Sequence, residues 1–97
     1  LNSFTDRDED RALARALGEE LGVAASYAAA DMADPDACRR PGAGGWDILV
    51  NNAGVQHVAP LEDFPPERWD AILAINLSSA FHATAAALPG MRARGWG

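Results

Sequence analysis

The 97-residue sequence has no lysine and a single cysteine, and each scarcity excludes a class of function. It contains eight basic and fourteen acidic residues, which gives a net charge of −6. Binding to nucleic acid or to an anionic membrane surface needs a basic patch, so we expect neither partner. Because Cys38 has no second cysteine, it forms no internal disulfide, and no cluster of ligands accompanies it. We therefore predict no metal site and a reducing, cytoplasmic setting.

Long apolar runs are also scarce. No stretch approaches the ~20 apolar residues of a membrane span, and the acidic start LNSFTDRDED lacks the basic and apolar regions of a signal peptide. A chain of this length suits one small domain. Since it does not begin with Met, we predict that residues 1–97 form one incomplete domain of a longer sequence.

The first third of the chain predicts a helix followed by a strand. Asp6 or Asp8 is expected to cap a helix that ends at Leu21, because apolar residues recur there at helical spacing and Gly22 suits the C-cap. The run VAASYAAAD, residues 23–31, predicts a buried strand, although alanine-rich runs favour helix as readily.

The remainder predicts a short crossover, a strand and a long helix. The prolines in 33–46 leave room for about one and a half helical turns between them. The run DILV, 47–50, is typical of a buried parallel strand. An amphipathic helix is expected over 66–94, kinked or ended at Pro89-Gly90. Its expected apolar face consists of Trp69, Ile72, Leu73, Leu77, Phe81, Leu88 and Met91. This alternation of elements predicts a parallel α/β sheet.

Two amides and two small residues follow the predicted strand at 47–50. Ligands of open parallel sheets bind at the carboxyl ends of the strands. Asn51 and Asn52 can tie strand ends together, while Ala53 and Gly54 leave room for a flat ligand near the backbone. An ordinary Asn-Gly turn is the alternative, and these four residues alone favour it.

Longer stretches resemble the short-chain dehydrogenase/reductase family, which builds a Rossmann-type sheet around NAD or NADP. The segments DILVNNAG and WDAILAINLSSAF carry the resemblance, together with the pair Asp31-Met32. Bacterial D-3-hydroxybutyrate dehydrogenases are especially similar, through LNSF, NNAGVQHVAPLEDFPPERWDAI and AINLSSAFHATAAALPGMRARGWG. The resemblance implies an α/β fragment of a doubly wound parallel sheet, its central part, without the first strand and the catalytic half.

The resemblance also implies which residues bind the cofactor. They are Phe4, Asp31, Met32, Asn52, Ala53, Gly54 and Ile75. Asp31 would accept a hydrogen bond from the adenine amino group, Met32 would pack on the ring, and Phe4 would lie beside the adenosine ribose. Many NAD-binding relatives carry a carboxylate near that ribose. Because neutral Asn2 and Ser3 are the candidates here, NAD is implied by the subfamily alone.

Two further residues would lie near the reacting atoms. The resemblance implies that Gln56 binds the substrate carboxylate. It makes Asn76 the helix asparagine of the catalytic tetrad, whose backbone holds a water of the proton relay, with Ile75 near the nicotinamide ribose. From the residues alone, Gln56 is a solvated loop amide. Asn76 is then a helix-bending or tethering amide that needs a partner.

The family's hydride transfer uses a tyrosine and a lysine four positions later. This chain contains only Tyr27 and no lysine, and it has no glycine-rich phosphate turn, so we expect these 97 residues to be inactive by themselves. The implied activity is NAD-dependent interconversion of (R)-3-hydroxybutyrate, a small hydroxy acid, and acetoacetate by a tetramer. The alternatives are a short-chain dehydrogenase for another small alcohol or ketone, or a non-catalytic α/β interaction module.

Overall fold

The computed structural model describes residues 1–97 and divides them into two compact units, Leu1–Asp31 and Met32–Gly97. The first unit contains strand β1 (Asn2–Ser3), helix α1 (Asp8–Leu21) and strand β2 (Ala28–Ala29). The second contains α2 (Pro35–Gly42), a 3-10 turn (Leu61–Asp63), α3 (Pro66–Leu73), a π-helical turn (Ala74–Ser78) and α4 (Ser79–Arg94).

The first unit holds a two-stranded parallel sheet. Asn2 lies opposite Ala28 and Ser3 opposite Ala29, as expected for adjacent parallel strands of a Rossmann-type sheet. The strand predicted over 23–31 is thus only two residues long, because β1 offers two residues for pairing. The predicted strand is also only partly buried, because Ala30 is buried whereas Ala28 is exposed.

Helix α1 ends where the sequence predicts but begins differently. Gly22 takes the left-handed conformation at φ 66° and closes the helix. The N-cap residue is Arg7, and no side chain caps the helix, so the expectation that Asp6 or Asp8 does so is wrong. The carboxylate of Asp6 instead binds the guanidinium of Arg11.

The DILV segment is not a strand in this chain. Ile48 and Val50 are 72% and 77% exposed, and no backbone–backbone hydrogen bond involves residues 47–52. The prediction of a buried parallel strand is wrong here for a physical reason. A strand exists only when a neighbouring strand accepts and donates its backbone hydrogen bonds, and the second unit contains no such neighbour.

Helix α2 is longer than the prolines suggested. The Asp34 side chain accepts a hydrogen bond from the Asp36 backbone N–H at 2.9 Å, and Pro35 occupies the first turn. The helix continues through Pro41 to Gly42. A proline this close to the C-terminal end removes one backbone hydrogen bond without breaking several turns.

The long helix forms as predicted but is interrupted at a different place. Its π-helical turn, Ala74–Ser78, separates α3 from α4. The helix continues through Pro89 and Gly90 and ends at Gly95, whose φ is 72°. Of the two outcomes expected at Pro89-Gly90, a kink or the end of the helix, the end does not occur there.

The face of α4 that packs on α2 is made of small residues. Ala83 and Ala87 are buried, whereas Trp69, Leu77 and Phe81 of the predicted apolar face are 55%, 66% and 69% exposed. Two helices approach most closely where neither carries a bulky side chain. A Cβ on Gly42 of α2 would lie only 2.5 Å from the Ala83 carbonyl oxygen.

The expectation that no apolar segment is long enough to span a membrane is wrong for this helix. Residues 71–91 contain no Asp, Glu, Lys or Arg, and the helix Pro66–Arg94 is long and apolar enough by length and composition to cross a bilayer. Core helices of soluble proteins pass the same test, so the observation assigns no membrane role.

Candidate loop site

The loop of residues 51–58, here termed the NNAG loop, is held to the π-helical turn by one side chain. The Val55 backbone N–H donates to Asn76 Oδ1 at 2.8 Å, and Asn76 Nδ2 donates to the Val55 carbonyl oxygen at 2.8 Å. One amide thus satisfies both polar backbone groups of a loop residue. The side chain of Asn76 therefore tethers the loop to the helix.

The π-helical turn explains how Asn76 becomes available for this pairing. Such turns insert an extra residue into a helix and often occur at functional sites. At this turn, the Ser79 hydroxyl donates to the Ile75 carbonyl oxygen at 2.6 Å. The helix therefore keeps that carbonyl hydrogen-bonded while the side chain of Asn76 bonds to the loop.

Two more contacts hold the NNAG loop, one to helix α4 and one to Phe64, which lies between the 3-10 turn and α3. Asn51 Nδ2 donates to Thr84 Oγ1 at 3.2 Å. The His57 ring meets the Phe64 ring edge to face, with centroids 5.3 Å apart. Gln56 is exposed and lies in sequence between the tethered Val55 and this His57 contact. Gln56 is the residue predicted to bind the substrate carboxylate, and the residues on both sides of it therefore have fixed contacts.

The small residues of the loop leave an uncovered surface. Asn52, Ala53 and Gly54 are all exposed. A Cβ on Gly54 would have Asn76 Oδ1 as its nearest neighbour, at 3.7 Å, and the φ of Gly54 is not positive. The chain itself therefore does not require glycine at this position.

Two other predicted cofactor residues of this unit are half-buried. Ile75 belongs to the π-helical turn beside Asn76. The Met32 carbonyl oxygen accepts a hydrogen bond from the Cys38 thiol at 3.3 Å. Cys38 is fully buried.

In the first unit, the predicted residues Phe4 and Asp31 are exposed, Phe4 by 77%. Phe4 directly follows β1. Of the two neutral residues considered for the ribose, Asn2 is engaged in the sheet, because its Nδ2 donates to the Ala28 carbonyl oxygen at 2.7 Å. Ser3 is half-buried at the end of β1.

An ionic cluster that the sequence reasoning missed lies just beyond β1. Arg11 Nε donates to Asp6 Oδ1 at 2.9 Å, and Arg7 Nε donates to Asp10 Oδ2 at 3.2 Å. The hydrogen bond from Arg7, with a second from Thr5, lowers the pKa of Asp10. The alternating charges of DRDEDR were the signal that could have indicated these pairs.

The second unit also contains an open apolar groove of about 350 Å³. It is lined by Ile48, Leu49, Asn51, Thr84, Ala87, Met91 and Trp96, among others. None of the predicted site residues lines it. The groove therefore lies mainly along the uncovered DILV segment, and of the NNAG loop only Asn51 lines it.

Comparison with known proteins assigns the family. The family model for short chain dehydrogenases matches residues 2–97, almost the whole chain. The chain belongs to the short-chain dehydrogenase family. It is 52% identical over its whole length to the D-beta-hydroxybutyrate dehydrogenase of Cupriavidus necator, of which it covers 39%. The chain thus spans about two fifths of the length of this curated relative.

Solved structures of short-chain dehydrogenases confirm the Rossmann-type fold class. A metagenomic short-chain oxidoreductase in complex with NADP superposes with a TM-score of 0.86 at 33% identity, covering 100% of this chain and 46% of the other. The NADH-dependent reductase A1-R' complexed with NAD gives 0.85 at 28% identity, covering 98% and 42%. The family thus binds nicotinamide cofactors, and these two neighbours differ in which one they hold.

Proposed function

We propose that this chain is part of an NAD-dependent oxidoreductase, which interconverts (R)-3-hydroxybutyrate and acetoacetate by hydride transfer. The chain covers about two fifths of its curated relative, so the activity belongs to a whole enzyme of which these residues supply a part. The observation that supports the proposal most directly is the pairing of Asn76 with Val55. It fixes the NNAG loop against a π-helical turn and so presents Gln56 from an anchored backbone.

The residues present suit the adenosine half of the cofactor. Asp31 supplies a carboxylate that can accept from an adenine amino group, and Met32 supplies an apolar surface for the ring. The exposed backbone of Asn52, Ala53 and Gly54 carries no bulky side chain, so a flat group could lie against it. Phe4 would contact the ribose, and Ile75 would contact the nicotinamide side. When bound, NAD would accept the hydride of the alcohol.

The proposal gives Gln56 and Asn76 separate tasks. Gln56 would donate a hydrogen bond from its side-chain amide to the substrate carboxylate. Asn76 would contribute its backbone to the proton relay while its side chain holds the loop. Because the chain contains no lysine, we propose that residues 1–97 alone do not turn over substrate. We further propose a cytoplasmic homotetramer as the complete enzyme.

A chimera tests the substrate assignment. Residues 1–97 would replace the matching segment of the Cupriavidus necator dehydrogenase, and the change would be Gln56→Ala. A hydrogen bond to a charged group contributes about 1.5–3 kcal/mol, so KM for (R)-3-hydroxybutyrate should rise by about 10- to 150-fold. Oxidation of a neutral secondary alcohol should change little, because it has no carboxylate.

The matched control for this experiment is Ser78→Ala, an exposed helix residue with no predicted ligand contact. It should leave both KM values unchanged. Equal effects of Gln56→Ala on the acid and on the neutral alcohol would contradict the carboxylate role. They would favour a short-chain dehydrogenase acting on a different small alcohol or ketone.

A second function is favoured by the exposed face of the long helix. Trp69, Leu77 and Phe81 are each more than half exposed, as expected for a surface that binds another protein. A non-catalytic α/β interaction module would use this face without a cofactor. The intact mass in the source cells distinguishes the two proposals. A mass of 10.2 kDa would favour the interaction module, and a much larger mass would favour the enzyme.

A further inference from the structure

Three aromatic rings connect the residue after Gln56 to helix α3. The ring of His57 lies edge to face with the ring of Phe64, and their centroids are 5.3 Å apart. Phe64 lies edge to face with Trp69 of α3 as well, with centroids 6.5 Å apart. Aromatic pairs at such distances attract each other beyond the burial of their surface. These three residues, here termed the ring cluster, therefore join the end of the NNAG loop to α3.

The backbone that carries two of these rings is rigid. The Phe64 N–H donates to the Leu61 carbonyl oxygen at 3.3 Å and so closes the 3-10 turn. Pro65-Pro66 follows, and each proline ring fixes its own φ. The Trp69 N–H then donates to the Pro65 carbonyl oxygen at 3.2 Å in the first turn of α3. Phe64 and Trp69 are thus set in place by contacts along their own segment.

The contact between His57 and Phe64 closes a short loop. Only residues 58–63 separate the two rings along the chain. Val58 and Leu61 of this segment are 90% and 87% exposed, so their side chains do little to hold it. Compact loops whose ends lie close together are often functional. Here it is the ring contact that brings the two ends together.

We propose that the ring cluster positions Gln56 for the substrate carboxylate by holding the residue that follows it. The inference rests on the proposed function, since it concerns the same side chain. Asn76 holds Val55, the residue before Gln56, through two hydrogen bonds of 2.8 Å, and Phe64 holds the residue after it. With one of these contacts removed, Gln56 spends less time in its binding conformation. The apparent affinity for the substrate falls in proportion to that fraction.

The chimera that carries residues 1–97 in the Cupriavidus necator dehydrogenase tests the proposal. Phe64→Leu keeps an apolar side chain but removes the ring, so KM for (R)-3-hydroxybutyrate should rise about 2- to 12-fold. The kcat should stay within about twofold, because Phe64 would act on binding and not on the reacting atoms. Oxidation of a neutral secondary alcohol should be unchanged, because it does not use Gln56, and this shows that the variant is folded. Phe64→Tyr keeps the ring and should restore KM to within about twofold of the wild type.

Two further variants separate the ring contact from a general effect of the segment. Leu61→Ala is the matched control, because it shortens an exposed apolar side chain outside the ring cluster. It should leave KM within about twofold of the wild type. His57→Leu combined with Phe64→Leu should raise KM no further than Phe64→Leu alone, because both changes remove the same contact.

Three results would overturn the inference. If Gln56→Ala raises KM for the acid while Phe64→Leu does not, the ring cluster does not position Gln56, and the proposed function remains. If Phe64→Leu raises KM for the acid and for the neutral alcohol equally, the ring supports the fold in general and not Gln56. If neither Gln56→Ala nor Phe64→Leu raises KM for the acid, the proposed role of Gln56 is overturned together with the inference.

Discussion

The pairing between Asn76 and Val55 predicts a local effect that amide exchange can measure. Asn76→Ala removes two hydrogen bonds of 2.8 Å, each with a net contribution of about 1 kcal/mol. Both residues are exposed, so water replaces part of what is lost, and we expect about 1–2 kcal/mol. The Val55 amide should then exchange about 5- to 30-fold faster. The measurement is hydrogen exchange by nuclear magnetic resonance.

A local readout is needed because the substitution acts on the helix in the opposite direction. Alanine has a higher helix propensity than asparagine, so global unfolding would understate the loss in the loop. Two variants control the experiment. Asn51→Ala removes only the bond to Thr84, and it should leave Val55 exchange within about twofold of the wild type. Asn76→Asp keeps an oxygen that can accept from the Val55 N–H, but its second oxygen would face the Val55 carbonyl oxygen, so this amide should lose part of its protection.

One result would refute the reasoning. If Val55 exchanges equally fast in Asn76→Ala and in the wild type while circular dichroism shows intact helices, the Asn76 pairing does not hold the NNAG loop in solution. The loop would then have to be held by Asn51 and His57 alone, and the anchored presentation of Gln56 would lose its main support.

Two further predictions concern stability. Gly42→Ala should destabilise the chain by about 1–3 kcal/mol in chemical denaturation, because the new Cβ would lie 2.5 Å from the Ala83 carbonyl oxygen. Gly90→Ala, whose Cβ would lie 3.2 Å from Nη1 of Arg94, should change the stability by no more than about 1 kcal/mol, and equal effects at the two sites would contradict the close helix packing. The carboxyl of Asp10 has its pKa lowered from the ordinary 3.8 by the Arg7 hydrogen bond, so its stabilising contribution is present above that value and is lost as pH falls through the folded pKa. The midpoint of the Asp10 carboxyl titration should therefore lie below 3.8 and should rise in Arg7→Gln; an unchanged midpoint would contradict the ion pair.

The sequence by itself determined the features that depend on neighbours along the chain. Helix α1 ends at Leu21 because Gly22 adopts the left-handed conformation, and the long helix begins at Pro66 because proline suits a first turn. The segments DILVNNAG and WDAILAINLSSAF were enough to reveal a resemblance to the short-chain dehydrogenase family. These signals need no knowledge of which segments meet in space.

The tertiary structure alone decided which segments find partners. The DILV run has the composition of a buried strand, yet it forms none, because strands require hydrogen-bonded neighbours and none is present in its unit. The buried face of α4 follows Ala83 and Ala87 instead of the large residues, because helix α2 approaches the Ala83 backbone closely at Gly42. The partner of Asn76 lies 21 residues away along the chain, so its spacing within the helix could not reveal that it holds the loop.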